Sequence, residues 1–113
     1  MKILVTGAAG FIGHNVVRFL EQQGHEIFGI DNRTNYGFIP SDELEYLFKE
    51  RAKRVHTFPM VADIRNGDDI KNRVGVFNIK TIVHLASFPR QKVVEQNPVL
   101  ASEVMSTGLI NLL

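Results

Sequence analysis

Short apolar runs alternate along the chain with longer stretches in which apolar residues recur every three or four positions. The short runs are Lys2–Thr6; Glu26–Asp31, with Ile27, Phe28 and Ile30; Arg54–Phe58, extending toward Val61; and Thr81–Ala86, which reads Thr-Ile-Val-His-Leu-Ala. Runs of this length bounded by glycine and polar residues predict buried strands. The longer stretches predict helices. Phe11–Gln23 places Ile12, Val16, Phe19 and Leu20 on one helical face, and Gly24 supplies a left-handed stop. Ser41-Asp42-Glu43-Leu44 predicts an N-cap serine with acids in the first turn, opening a helix to about Arg51. Gly67–Phe77 is a third helix, and Asn97-Pro98 opens a last one, proline in its first turn, that continues to Leu113. Asn32–Pro40 and the segment around Pro89 read as loops.

Regular strand–helix alternation implies an α/β fold, a parallel sheet with helices on both faces and right-handed crossovers. The expected strand order is 3-2-1-4. The order reverses between strands 1 and 4, and a ligand crevice is expected at the carboxyl ends of that pair.

The first strand-to-helix turn carries candidate chemistry. Thr6-Gly7-Ala8-Ala9-Gly10-Phe11-Ile12-Gly13 places three glycines three residues apart. Gly7 suits a tight turn, Gly10 lets a pyrophosphate approach the backbone, and Gly13 lets the helix pack closely on the sheet. The helix opens with the N–H groups of Phe11, Ile12 and Gly13, which have no intrahelical partner and lie at the positive end of the helix dipole. Asp31 follows Gly13 by eighteen residues and ends the second strand, where a carboxylate meets the ribose hydroxyls of an adenosine. These features predict a doubly wound sheet of the Rossmann type that binds a nicotinamide dinucleotide. A 2′-phosphate beside Asp31 would be repelled by about 4 kcal/mol at 4 Å and an effective dielectric of 20. That favours NAD over NADP, with Arg33 as the one residue nearby able to accept such a phosphate.

Composition narrows the picture. At 113 residues the chain is one domain, 1–113, with one core. Its net charge of +1 leaves no electrostatic footprint for nucleic acid or an anionic membrane. Lys49, Arg51, Lys53 and Arg54, interrupted by Glu50, read as a solvated helix end. The absence of cysteine excludes disulfides, thiolate metal sites and a cysteine nucleophile. His14, His25, His56 and His84 show no ligand spacing, so no metal is expected. No signal peptide and no run near 18 apolar residues is visible, and the expected compartment is the cytoplasm.

No catalytic residue is expected. His84 reads as a structural histidine, and His14 has no catalytic partner in the sequence. Tyr36 and Tyr46 are followed four residues on by Pro40 and Glu50 rather than lysine. Asp42, Glu43 and Glu45 read as helix-capping and solvating acids, as do Asp68 and Asp69.

Together these residues resemble the extended short-chain dehydrogenase/reductase family, in particular its NAD-dependent epimerase/dehydratase branch acting on nucleotide sugars. The resemblance runs the length of the chain. Thr6–Gly13 matches the family's TGxxGxxG, and Asp31-Asn32 its acid after strand 2. Asp63-Ile64-Arg65 resembles its D-[IVL]-R, whose aspartate side chain and following amide contact adenine. His84-Leu85-Ala86-Ser87 resembles its H-x-A-[AG], whose backbone lines the cofactor. Gly108–Leu113 resembles its G-T-x-N-L-L helix. The resemblance therefore implies cofactor contacts at Asp63, Ile64, Leu85, Ala86 and Ser87, beside those at Gly7, Gly10, Phe11, Ile12, Gly13, Asp31, Asn32 and Arg33. Three departures stand out. Met105 occupies the family's asparagine position three residues before the last glycine. Leu109 replaces its threonine. No Tyr-x-x-x-Lys, the family's acid–base pair, occurs in the 113 residues.

The chain is thus expected to be the truncated, N-terminal part of such an architecture, with the substrate subdomain absent, binding NAD without turnover alone. Two alternatives stay open: an autonomous NAD-binding module or split-enzyme half, and a structural, self-associating domain. Leu100, Val104, Ile110 and Leu113 are expected to form an apolar stripe on the last helix. With the strand 4 edge, that stripe predicts a homodimer or larger assembly.

Overall fold

In the computed structural model, residues 1–34, 39–57, 59–87 and 95–113 are described. Tyr36, Phe58 and Pro89 lie outside them. Four parallel strands, β1 (Lys2–Thr6), β2 (Glu26–Asp31), β3 (Met60–Val61) and β4 (Thr81–His84), form one sheet in the order β3-β2-β1-β4. Helices α1 (Phe11–Gln22), α2 (Ser41–Ala52) and α3 (Gly67–Phe77) alternate with the strands. The expected order is therefore the observed one.

Side-chain alternation along the strands builds a core on each face. Ile3, Val5 and Ile27 point to one face, where they pack with Ala8 and Val17 of the α1 side. Leu4, Phe28, Ile30 and Ile82 point to the other and meet Ile64, Ile70, Ile79, Ala101 and Val104. Ring stacking of Phe28 on Phe77, centroids 4.7 Å apart, ties β2 to α3 on that second face. Gly24, at φ +87°, is the left-handed stop expected after α1, and Asn78, at φ +55°, does the same after α3.

Four local expectations are corrected. Strand β3 is two residues long and begins at Met60, not Arg54. The N–H groups of His56 and Thr57 are donated to the Glu21 carboxylate at 3.0–3.1 Å, so they do not enter a ladder. Strand β4 stops at His84, not Ala86: the Leu85 N–H is shared between the Thr6 carbonyl at 3.3 Å and the Thr6 hydroxyl at 3.0 Å, and the Ala86 N–H turns to that hydroxyl, also at 3.0 Å. Pro40, not Ser41, caps α2: the Leu44 N–H already bonds the Pro40 carbonyl, and no side chain caps the helix.

The fourth concerns the last helix, which has three parts: α4 (Pro98–Ser102), a π-helical turn (Glu103–Thr107) and α5 (Gly108–Leu112). Its buried face is Ala101, Val104 and Gly108, with Leu100 and Leu112 beside it. Ile110 and Leu113 are exposed, so the expected four-residue stripe does not form. Positions 101, 104 and 108 recur at helical spacing, whereas 104 and 110 do not share a face.

Candidate functional site

The crevice lies where the strands end. Its walls come from Gly7 and Gly10 after β1, Asp31 and Asn32 at the end of β2, Asp63 and Ile64 after β3, and Leu85, Ala86 and Ser87 after β4. The cavity they enclose holds about 220 Å³.

Its floor is the glycine turn. Gly7 sits at φ +70°, and a Cβ there would stand 2.9 Å from the Ala86 nitrogen. Gly13 presses on the Gly7 carbonyl oxygen so closely that a Cβ would overlap it. Both positions therefore demand glycine, one for its backbone conformation and for space, the other for space alone. Within the turn the donors are accounted for: Ala8 N–H bonds the Ile30 carbonyl, Gly10 N–H the Gly7 carbonyl, and Ala9 N–H the Asp31 Oδ2 at 3.0 Å. The first bond inside α1 is His14 N–H to Gly10 O, so the N–H groups of Phe11, Ile12 and Gly13 precede the ladder. No side-chain cap and no acid occupies that first turn. The Phe11 and Ile12 side chains lie on the surface, and neither they nor Gly13 line the crevice.

Asp31 accepts two backbone donors, Ala9 N–H and Arg33 N–H at 2.6 Å, one on each oxygen. A carboxylate has about four acceptor positions, so two remain for a diol. The Arg33 backbone is in the left-handed region at φ +57°. Its guanidinium is directed to the Pro59 carbonyl, at 3.4 Å, and over the Phe48 ring. It lines a neighbouring cavity of about 200 Å³ rather than the crevice.

Arg51 lines both cavities, as does Phe48. Arg51 donates to the Ala9 carbonyl at 3.0 Å. Burial lowers the guanidinium below its ordinary value, and the Asp31 carboxylate opposes that shift. Arg54 donates to His14 Nε2 at 3.1 Å, while His14 Nδ1 meets the Gly10 carbonyl at 2.9 Å. A carbonyl only accepts and a guanidinium only donates, so the proton of His14 is on Nδ1. The reading of this basic cluster as solvated holds for Lys49 and Lys53, which pair with Glu45 and Glu50 at the surface, and for Arg54, which is exposed, but not for Arg51. Leu44, Phe48, Arg51 and Val104 complete the crevice. None was expected there; the i, i+4, i+7 spacing of the first three along α2 was the available signal.

On the β4 side, Thr6 is fully buried. Its hydroxyl oxygen accepts both the Leu85 and Ala86 N–H groups, so its hydrogen goes to His84 Nδ1, 2.8 Å away. Desolvation shifts the His84 ring below the ordinary histidine value, in keeping with a neutral ring that accepts at Nδ1. His84 thus anchors the Thr6 hydroxyl. It holds the turn that presents Leu85 and Ala86 to the crevice.

At the far wall, Asp63 is paired with Arg65, which approaches to 2.6 Å through Nη2. The Arg65 guanidinium holds the Asp63 carboxyl below the usual carboxylate range. Asn111 of α5 donates to the Ile64 and Arg65 carbonyls at 2.8 and 3.1 Å, fixing that turn against the last helix. Met105 is half exposed in the π-helical turn, whose Val104 faces the crevice. Among the described residues no group of three or more acidic, histidine or cysteine side chains is placed to hold a metal ion. No helix among them is long and apolar enough to cross a membrane.

Fold and crevice together define a Rossmann-type α/β domain with its site at the carboxyl edge of the sheet. A family model described as GDP-mannose 4,6 dehydratase matches residues 4–113. The chain belongs to that family, in the epimerase/dehydratase branch of the extended short-chain dehydrogenase/reductases. It is 32% identical over 111 residues to UDP-glucuronate 4-epimerase of Thermodesulfobacterium geofontis, covering 97% of this chain and 33% of that protein. It is 31% identical to CDP-paratose 2-epimerase of Salmonella typhi, covering 100% of this chain and 32% of that protein. The solved UDP-glucose 4-epimerase of Thermus thermophilus, in complex with NAD, superposes with a TM-score of 0.74 at 28% identity, over 99% of this chain and 32% of that one. The chain thus spans about a third of the length of the relatives it matches.

Proposed function

We propose that residues 1–113 form the NAD-binding part of a nucleotide-sugar epimerase or dehydratase, working in the cytoplasm. The observation that carries this is the turn from Gly7 to Gly13, with three forward-facing N–H groups and the Asp31 carboxylate beside it. The residues fit the dinucleotide. The N–H groups of Phe11, Ile12 and Gly13 hold the pyrophosphate, the free acceptor positions of Asp31 hold the adenosine ribose, and Asp63, Asn32 and Ile64 flank the adenine. Leu85, Ala86 and Ser87 line the path toward the nicotinamide. Arg33 takes no part in this placement through its side chain. With its guanidinium turned to Pro59 and the ribose facing a carboxylate, NAD is preferred over NADP.

Bound NAD supplies reversible hydride transfer. The acid–base step needs a proton carrier, and no Tyr-x-x-x-Lys occurs among these residues. By themselves they bind the cofactor and do not turn over a nucleotide sugar.

Calorimetric titration and thermal unfolding test this together. At a hundredfold excess over Kd, NAD adds about 2.7 kcal/mol of stability. For a chain of this size that is a rise on the order of 10 °C. NADP gives a clearly smaller rise. No response to either dinucleotide overturns the proposal. Turnover of a nucleotide sugar by the isolated chain overturns its second half.

A further inference from the structure

Asn66-Gly67 is the one place in the chain where glycine follows asparagine. Each residue has a structural reason to be there. Asn66 caps α3, its Oδ1 accepting the Asp69 N–H at 3.2 Å. A Cβ on Gly67 would stand 2.8 Å from Asn111 Oδ1 and 3.1 Å from Asn111 Cγ, and Asn111 is held in place by its bonds to the Ile64 and Arg65 carbonyls. The fold thus keeps a chemically reactive pair, and Asn66 is exposed to water. With no side chain on Gly67, nothing shields its backbone nitrogen from the Asn66 carboxamide. That N–H also precedes the helical ladder, which opens with the Ile70 N–H on the Asn66 carbonyl at 3.1 Å. At the positive end of the α3 dipole, loss of its proton is eased.

The folded chain holds the two groups apart. Asn66 has a ψ of 89°. Joining its Cγ to the Gly67 nitrogen in a five-membered ring turns ψ to negative values. That rotation swings the peptide between the two residues, so it breaks both the Ile70 bond and the side-chain cap. The first turn of α3 must open before the ring can close.

We infer that Asn66 is a site of covalent self-modification, gated by the opening of that turn. The Gly67 nitrogen gives up its proton to solvent base and attacks the Asn66 Cγ. The bond from Cγ to the side-chain nitrogen breaks, and the nitrogen takes a proton from water and leaves as ammonia. Water then opens the resulting succinimide at either carbonyl. One product is aspartate, which still caps a helix. The other is isoaspartate, whose backbone runs through the former side chain and gains a methylene. Its N–H starts from the Asp63 carbonyl, 3.0 Å away, so the longer backbone cannot also keep the cap on Asp69. The turn from Asp63 to Asn66 then loses its hold on α3.

The test is peptide mapping by mass spectrometry after incubating the 113-residue chain in mildly alkaline buffer, folded and in urea. Exchange of the amide nitrogen for oxygen is expected at Asn66 and not at Asn15, Asn72 or Asn111, which precede Val16, Arg73 and Leu112. The unfolded chain reacts at least about tenfold faster than the folded one, the scale of a local opening. Asn111→Ala loosens the turn and speeds the folded reaction about fivefold. Adding Gly67→Ala to that variant shields the nitrogen and removes the gain. In hydrogen exchange, the isoaspartyl product loses protection across residues 63–70. Asn66→Asp, which has the charge of the product on a normal backbone, keeps it. No reaction at Asn66 in urea overturns the site. Equal rates in the folded and unfolded chain overturn the gating, and unaltered protection in the isoaspartyl product overturns the structural consequence.

Discussion

The Asp31 carboxylate bonds the Ala9 amide at 3.0 Å, joining the end of β2 to the middle of the glycine turn. One residue thus does two things: it shapes the floor of the crevice and presents its remaining acceptor positions to whatever lies there. Arg51 grips the same residue from the other side, through the Ala9 carbonyl at 3.0 Å. Ala9 is held at both its N–H and its C=O by side chains 22 and 42 residues away in sequence.

Asp31→Ala removes the acceptor for two backbone N–H groups. Unfolding free energy is expected to fall by about 2 kcal/mol, and NAD affinity by at least about tenfold, since both the turn and the ribose contact are lost. Urea unfolding and calorimetric titration read the two effects separately. A loss of affinity with no loss of stability would mean that the Ala9 bond contributes nothing to folding.

Gly13→Ala places a methyl group on the Gly7 carbonyl oxygen. Helix α1 must then withdraw from the turn, at a cost of about 1–3 kcal/mol. Gly75, in α3, is the control, because nothing lies within 4 Å of a Cβ built there. Gly75→Ala is expected to raise stability by about 0.5–1 kcal/mol through helix propensity alone. Melting temperatures moving in opposite directions confirm both statements, and any stabilisation by Gly13→Ala contradicts the first.

Thr6 and His84 make stability depend on pH. The folded ring is shifted below the ordinary histidine value, so in the window beneath it the unfolded chain binds a proton that the folded chain does not. Stability is fully present above about pH 6.5 and declines as pH falls from there toward the folded value. His84→Asn keeps an acceptor for the Thr6 hydroxyl but cannot titrate, and its unfolding free energy should fall less steeply as pH drops below about 6.5. Asp63 acts lower on the scale: Arg65 depresses its value, so its contribution is present above about pH 4 and is lost as pH falls through the folded value. Parallel slopes for wild type and His84→Asn would exclude the histidine as the source.

Asn111→Ala cuts the tie between α5 and the turn at Ile64 and Arg65. The bond to the Ile64 carbonyl is part-buried and the one to the Arg65 carbonyl is exposed, so the expected cost is modest, about 1 kcal/mol. Hydrogen exchange localises it: the amides of residues 62–66 and of α5 should lose protection together, and those of β1 should not. Uniform change across the sheet would refute the local coupling.

What could be read from the chain follows the range of the forces involved. Strands β1 and β2 and helix α3 keep their expected bounds, and α1 is one residue shorter than expected. Each is specified by its own periodicity, its glycine or asparagine stop and the next turn. The end of β4 was misplaced because the Thr6 hydroxyl, 80 residues before Ala86, takes the Ala86 amide. The start of β3 was misplaced because Glu21 takes the amides of His56 and Thr57. Arg51 and Arg54 were indistinguishable by composition from Lys49 and Lys53. Only the folded chain turns the arginines toward Ala9 and His14 and the lysines toward water.

By itself, the sequence determined the α/β alternation, the sheet order, the glycine turn and the carboxylate at its side. These follow from hydrophobic period and from the steric needs of single residues, which act over a few positions. Tertiary structure decided where Arg33 points, that Arg51 and Phe48 line both cavities, which face of the last helix is buried, and that Asp63 meets the crevice paired with Arg65. Those outcomes depend on which distant donor meets which acceptor, and that competition is settled only when the sheet brings the ends of its strands together.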